Sequence, residues 1–103
     1  MNKKYKILIV EDQPITAMDI KQTITNLGYE VIGIAKSYES AIQKFEENMP
    51  DLVIMDICLN EGIDGIDTVK QLYKIKKIPV IYLTAFTDDV TIDITTEKDY
   101  EFY

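Results

Sequence analysis

The side chains able to do chemistry in this chain are acids. Histidine is absent from all 103 residues. Its absence removes the commonest general base, the serine and cysteine nucleophile systems that depend on it, and the usual zinc sites. Four positions stand out because each follows, or closes, a short apolar run: Glu11 and Asp12 after Ile7-Leu8-Ile9-Val10, Asp56 after Leu52-Val53-Ile54-Met55, and Thr84 after Val80-Ile81-Tyr82-Leu83. Carboxylates gathered in one place raise one another's pKa values unless a cation lies between them, and no lysine or arginine in the adjoining loops is placed to serve. A hard divalent ion fits best. Magnesium takes an octahedron of oxygens, keeps several waters, and combines one or two protein carboxylates with a phosphate. Asp12 and Asp56 supply carboxylates, the backbone carbonyl of Cys58 a third protein oxygen, and Glu11 a hold on bound water. A carboxylate in such a shell is also a nucleophile able to form an aspartyl phosphate, with Thr84 hydrogen-bonding a phosphoryl oxygen.

These residues meet only if the chain arranges its runs side by side. The apolar runs are short, β-branched and bounded by polar residues, as expected of strands buried on both faces of a parallel sheet. Between them lie helical patterns. Pro14 opens one in which Ile15, Met18, Ile20, Ile24 and Leu27 recur up to Gly28; Ser37 to Glu47 carries Ala41, Ile42 and Phe45 on one side before Pro50; Ile66 to Ile75 carries Ile66, Val69, Leu72 and Tyr73. Val31 to Ala35 is a further strand, and Asp64-Gly65 reads as a turn. The alternation β-α-β-α-β-α-β predicts an α/β fold with a parallel sheet, right-handed crossovers and helices on both faces. In such doubly wound sheets the ligand site lies at the carboxyl ends of the strands, where the acids stand.

Beyond Thr84 the pattern weakens. Val90 to Thr96 is β-branched at nearly every second place, which suits a strand, while Asp88-Asp89 suits a helix start; topology favours the helix. Tyr100-Glu101-Phe102-Tyr103 alternates and could begin a last strand. If the fifth strand is missing, the fourth becomes a sheet edge, a template for dimerisation or tail exchange.

Composition bounds the rest. One core fits this length, with no repeat or linker, so residues 1–103 read as a single domain. Eleven basic against 18 acidic residues give a formal charge of −7, which repels phosphate backbones and anionic lipid headgroups. The lone Cys58 and the five-residue apolar run near the start, too short for a signal peptide or a membrane span, place the chain in a reducing cytoplasm by default.

Ile7-Leu8-Ile9-Val10-Glu11-Asp12, Pro50-Asp51-Leu52-Val53-Ile54-Met55-Asp56, Asp64-Gly65 and Ile78-Pro79-Val80-Ile81-Tyr82-Leu83-Thr84-Ala85 together closely resemble the receiver domains of two-component response regulators. The resemblance covers residues 6–89; residues 90–103 form an atypical tail. It implies a flavodoxin-like sheet with strand order 2-1-3-4-(5), the last strand and helix missing or incomplete. It also implies that Asp56 is the phosphoacceptor, Glu11 and Asp12 the acidic metal pair, and Thr84 the switch hydroxyl. A histidine kinase would donate the phosphoryl group, and an output domain or partner protein would be regulated. Receiver domains carry a Lys-Pro pair after the fifth strand, then a fifth helix. Here Lys98 is followed by Asp99 and is placed before any fifth strand, and Tyr100, Phe102 and Tyr103 all stand as candidates for the aromatic switch position. This departure suggests a fragment or a shortened gene product.

Two other functions compete with a phosphoacceptor that is no conventional enzyme. One is an interaction adaptor that keeps the fold and no longer switches. The other is a magnesium phosphatase with an aspartyl nucleophile, disfavoured because its second acid would fall at Cys58. Bland readings exist for each residue as well: Glu11-Asp12 as a helix start, Asp56 as a solvated turn, Thr84 as an ordinary strand residue, and Tyr82 and Phe86 as core.

Overall fold

The structure, a computed structural model, describes residues 4–56, 65–84 and 91–93. Its elements are β1 (Lys6–Val10), α1 (Pro14–Asn26), β2 (Glu30–Ala35), α2 (Tyr38–Asn48), β3 (Leu52–Asp56), α3 (Gly65–Ile75), β4 (Val80–Thr84) and β5 (Thr91–Asp93). They build one sheet in the order β2-β1-β3-β4-β5. β1 pairs in parallel with β2 and β3, and β3 with β4. The expected order 2-1-3-4 is thus the observed one.

Unbroken apolar strands follow from cover on both faces, because successive side chains point to opposite sides. Leu8, Val10, Val53, Met55, Val80 and Tyr82 form one core with Ala41 and Phe45 of α2 and Val69 and Leu72 of α3. Ile7, Ile9, Ile54 and Leu83 form the other, against Ile20 and Ile24 of α1. Tyr82 is therefore core, as expected. A bulge in the β1–β2 register, where Ile7 faces Val31 and Leu8 faces Gly33, puts an extra residue in β2. Val31 and Ile34 both pack on the α1 side in consequence, and Ile32 on the other.

Local signals place the helices. Pro14 occupies the first turn of α1. Beyond α1, Gly28 at φ 98° accepts the left-handed turn that ends the helix, its N–H donating to the Thr25 carbonyl at 3.0 Å. The Ser37 hydroxyl caps α2 by accepting from the Ser40 N–H at 3.1 Å. At the amino ends of the strands, the Asp51 carboxylate accepts from the Lys6 N–H at 2.7 Å, and Lys6 Nζ donates to the Asn48 carbonyl at 2.9 Å. These bonds tie β1 to the start of β3 and so set the height at which both strands end.

Several expectations change. Residues 91–93, expected as helix, are strand β5, which pairs antiparallel with β4, Tyr82 opposite Asp93 and Thr84 opposite Thr91. The β-branched pair Thr91-Ile92, set beside an open strand edge, outweighs the helical alternation of the fold. This strand covers the β4 edge at Tyr82–Thr84, so the premise of a bare edge fails there. It also lies before Lys98 in the chain, not after it. Gly65 opens α3 instead of completing a turn. Ile15, Met18 and Leu27 keep helical spacing in the sequence, yet they are 80%, 56% and 66% exposed, and only Ile20 and Ile24 of that stripe reach the sheet. Phe86, Asp64, Asp88, Asp89 and the Tyr100–Tyr103 segment lie outside the described residues.

Candidate functional site: an acidic cluster at the carboxyl edge of the sheet

β1 and β3 are adjacent and in register from Ile7 opposite Leu52 to Val10 opposite Met55, so the residues just beyond them arrive side by side. Glu11 and Asp12 leave β1 there, and Asp56 closes β3. The three carboxylates each offer an oxygen, and these oxygens lie within 4.8 Å of one another. Parallel pairing thus converts acids far apart in sequence into one cluster.

The environment of each acid is distinct. Glu11 is buried; its own N–H donates to the Ala35 carbonyl at 2.9 Å, and its carboxylate accepts from the Gln13 N–H at 3.0 Å. Burial, opposed by the Gln13 bond and reinforced by the negative charge of Asp56 and by hydrogen bonds with Asp56 and Asp12, pushes its pKa up to about 7. Asp12 Oδ2 is buried, and no described residue hydrogen-bonds it. A buried carboxylate oxygen without a donor is costly as it stands. A cation beside it removes that cost, and an all-oxygen donor set is what a hard ion such as magnesium or calcium takes.

Glu11, Asp12 and Asp56, singled out in the sequence, are therefore brought together. Thr84 is the last residue of β4, one step beyond Leu83, which stands opposite Asp56 in the β3–β4 register. Its backbone reaches the same sheet edge as the acids. Cys58 lies outside the described residues. Two contributors were not foreseen: the Gln13 N–H, which holds the Glu11 carboxylate, and Asp51, which fixes β1 against β3 from the opposite end. The first is a backbone group with no sequence signature. The second was signalled by an acid directly after Pro50, at the amino end of a strand.

The family profile described as the response regulator receiver domain matches residues 7–101. The phyllosphere-induced regulator PhyR of Methylorubrum extorquens is 39% identical over 84 residues, which are 81% of this chain and 32% of that protein. The chemotaxis protein CheY of Thermotoga maritima is 43% identical over 70 residues, 68% of this chain and 58% of its own length. Among solved structures, the anti-anti-sigma factor PhyR of Bartonella quintana, crystallised with the anti-sigma factor NepR, superposes with a TM-score of 0.80 at 33% identity, covering 93% of this chain and 43% of that one. The chain spans from about a third to three-fifths of the length of these relatives. A family match over most of its residues, joined to the parallel sheet and the acidic edge, makes this chain a member of the response regulator receiver domain family.

Proposed function

We propose that the acidic edge is a phosphoacceptor site, with Asp56 as the residue that takes the phosphoryl group and magnesium as the ion it needs. The observation that carries this reading is the cluster itself: three carboxylates with oxygens within 4.8 Å of one another, one of which, Asp12 Oδ2, is buried with no hydrogen-bond donor among the described residues. Asp12 and Asp56 would hold the ion directly, the Cys58 carbonyl would add a third oxygen, and Glu11 would hold a coordinated water. When bound, the ion neutralises charge on the transferring group and orients it.

The chain's own residues do the rest. An Asp56 carboxylate oxygen forms the bond to phosphorus as the bond from phosphorus to the donor nitrogen of a histidine kinase breaks. Water later cleaves the acyl phosphate, releasing inorganic phosphate and restoring the carboxylate. Thr84, at the end of the neighbouring strand, hydrogen-bonds a phosphoryl oxygen and passes the change to the surface that an output domain or partner protein reads. The site acts only on its own phosphate, so the domain is a self-assisted substrate and not an enzyme in the usual sense. Residues 1–103 act as one receiver unit in the cytoplasm. No described helix is long and apolar enough to cross a membrane.

The test is phosphorylation of the purified chain by a small-molecule phosphodonor with magnesium, read by intact mass. One phosphoryl group is gained, and the gain disappears in Asp56→Asn and on chelation of the metal. Persistence of the gain in Asp56→Asn would move the acceptor elsewhere.

A second reading is an interaction adaptor that does not switch. It is favoured by the antiparallel direction of β5 and by Asp99, where the family's pair would put proline after the lysine. Phosphorylation that leaves partner affinity unchanged distinguishes it.

A further inference from the structure

The start of α1 is marked by Pro14 and by no other local signal. Gln13, at the N-cap, makes no side-chain bond to the helix, and the first turn holds no acid. Glutamine is not among the side chains that cap helices well, whereas aspartate is. Asp12, one residue upstream, is therefore the stronger cap. A helix begun at Gln13 would draw the Asp12 carboxylate onto the N–H groups of residues 14 and 15. Pro14 closes that route twice. It has no N–H to donate, and its ring keeps the preceding residue out of the helical region. Gln13 is accordingly extended, at φ −87° and ψ 114°.

We propose that Pro14 is a positioning residue for the metal site: by keeping Gln13 out of α1, it keeps Glu11 and Asp12 turned to the carboxyl edge. The inference rests on the reading of that edge as a magnesium site. Residue 13 is held through both of its peptide groups. Its N–H donates to the Glu11 carboxylate at 3.0 Å, and its carbonyl accepts from the Ala17 N–H at 2.9 Å. Ala17 is buried, so the near end of α1 is fixed, and ψ of Gln13 decides how the Asp12–Gln13 peptide is turned against the helix. At 114° that peptide sends its N–H to Glu11. At a helical ψ, about −42°, it would face nearly the opposite way and release the Glu11 carboxylate. Asp12 answers to the same constraint. Its Oδ2 is buried with no hydrogen-bond donor among the described residues, so this oxygen is not engaged by the helix and stays open to a cation. One exposed ring thus decides whether the acid pair serves the start of a helix or the ion.

Two measurements on the full chain test this: magnesium affinity by calorimetric titration, and exchange of the residue 13 amide in metal-free buffer. Pro14→Ala should bind magnesium about tenfold more weakly, the lower end of what losing a group that orients a metal ligand costs. Its residue 13 amide should exchange faster than in the parent chain, while circular dichroism keeps the helices. Adding Gln13→Ser to Pro14→Ala should restore both readouts, because serine caps as strongly as aspartate, as Ser37 already caps α2, and so returns the helix start to residue 14. A lower melting temperature with unchanged magnesium affinity would make Pro14 merely structural and overturn the proposal. Affinity lost in Pro14→Ala and not recovered with Gln13→Ser would overturn it as well. A parent chain that binds no magnesium would overturn the site reading and this inference together, whereas equal affinity in parent and Pro14→Ala would overturn this inference alone.

Discussion

The two faces of the sheet are nearly alike in sequence and unlike in structure. Adjacent residues of one strand supply both: Leu8 and Val10 point toward α2 and α3, Ile7 and Ile9 toward α1. On the first face two helices close over the strands, and Phe45, Val69 and Leu72 are fully buried. On the second, α1 alone of the described helices packs on the strands, against β1 and β2, and cavities lined by Ile24, Ile54 and Ile81 open beside it. Strand composition sets how apolar a face must be. The number of helices that reach it decides whether that demand is met.

Truncation on each face measures the contrast. Phe45→Ala removes a ring from a site with no room to relax, and should cost about 3–5 kcal/mol, a large part of the roughly 5–15 kcal/mol that holds a domain of this size. Ile24→Ala removes atoms that already border open space, so about 1 kcal/mol is expected, below the usual range for a filled core. Denaturant titration of both variants checks this, and equal losses would mean that the α1 face is closed in solution.

The acids lie at the carboxyl edge between the two faces, and they add a dependence on pH that neither core has. Glu11 titrates at about 7 in the folded chain, above its ordinary value of 4.5. The native state therefore binds more protons than the unfolded state between those values, and stability falls as pH rises through that window, by a few kcal/mol in metal-free buffer. Below pH 4.5 the contribution is fully present. Saturating magnesium should flatten the slope and release protons on binding, since a cation favours the ionised carboxylate. Glu11→Gln should remove the slope without metal. Thermal melts across pH 4 to 8, with and without magnesium, read all of this.

Much of this organisation was legible before any coordinates. Short β-branched runs ending in Asp12 and Asp56 identified both the parallel sheet and its acidic edge, because a strand buried on both faces leaves few other readings and parallel pairing brings like ends together. What was not legible depends on cover and competition. The spacing of Ile15, Met18 and Leu27 declares a helix stripe and cannot say that α1 is the only described helix on its face, with these three side chains largely exposed. Val90 to Thr96 carries two local signals that disagree, an acidic start for a helix and β-branched alternation for a strand. An open edge on β4 decides for the strand at 91–93, and that edge is a tertiary fact. The Gln13 N–H that holds Glu11 is backbone, and has no signature at all.

The smallest effect compares how the two faces end their helices. α1 is followed by Gly28 at φ 98°, where a glycine enters the left-handed region without cost, and Pro50 follows α2 only after Met49 has turned at φ 44°. A side chain with a Cβ pays about 1–2 kcal/mol for that conformation. Met49 donates its N–H to the Phe45 carbonyl at 2.8 Å, so the turn is held by the backbone and does not depend on the thioether. Met49→Gly keeps that bond and removes the strain, while the freer unfolded chain gives part of the gain back. The net expectation is stabilisation of up to about 1 kcal/mol, read as a higher denaturant midpoint at unchanged slope. Gly28→Ala should move the midpoint the other way by a similar amount, because nothing crowds the added Cβ and only the positive φ opposes it. A loss of stability in Met49→Gly would show instead that the half-exposed methionine side chain holds α2 against its surroundings, so that the closed face is sealed at its end by packing and not by the turn.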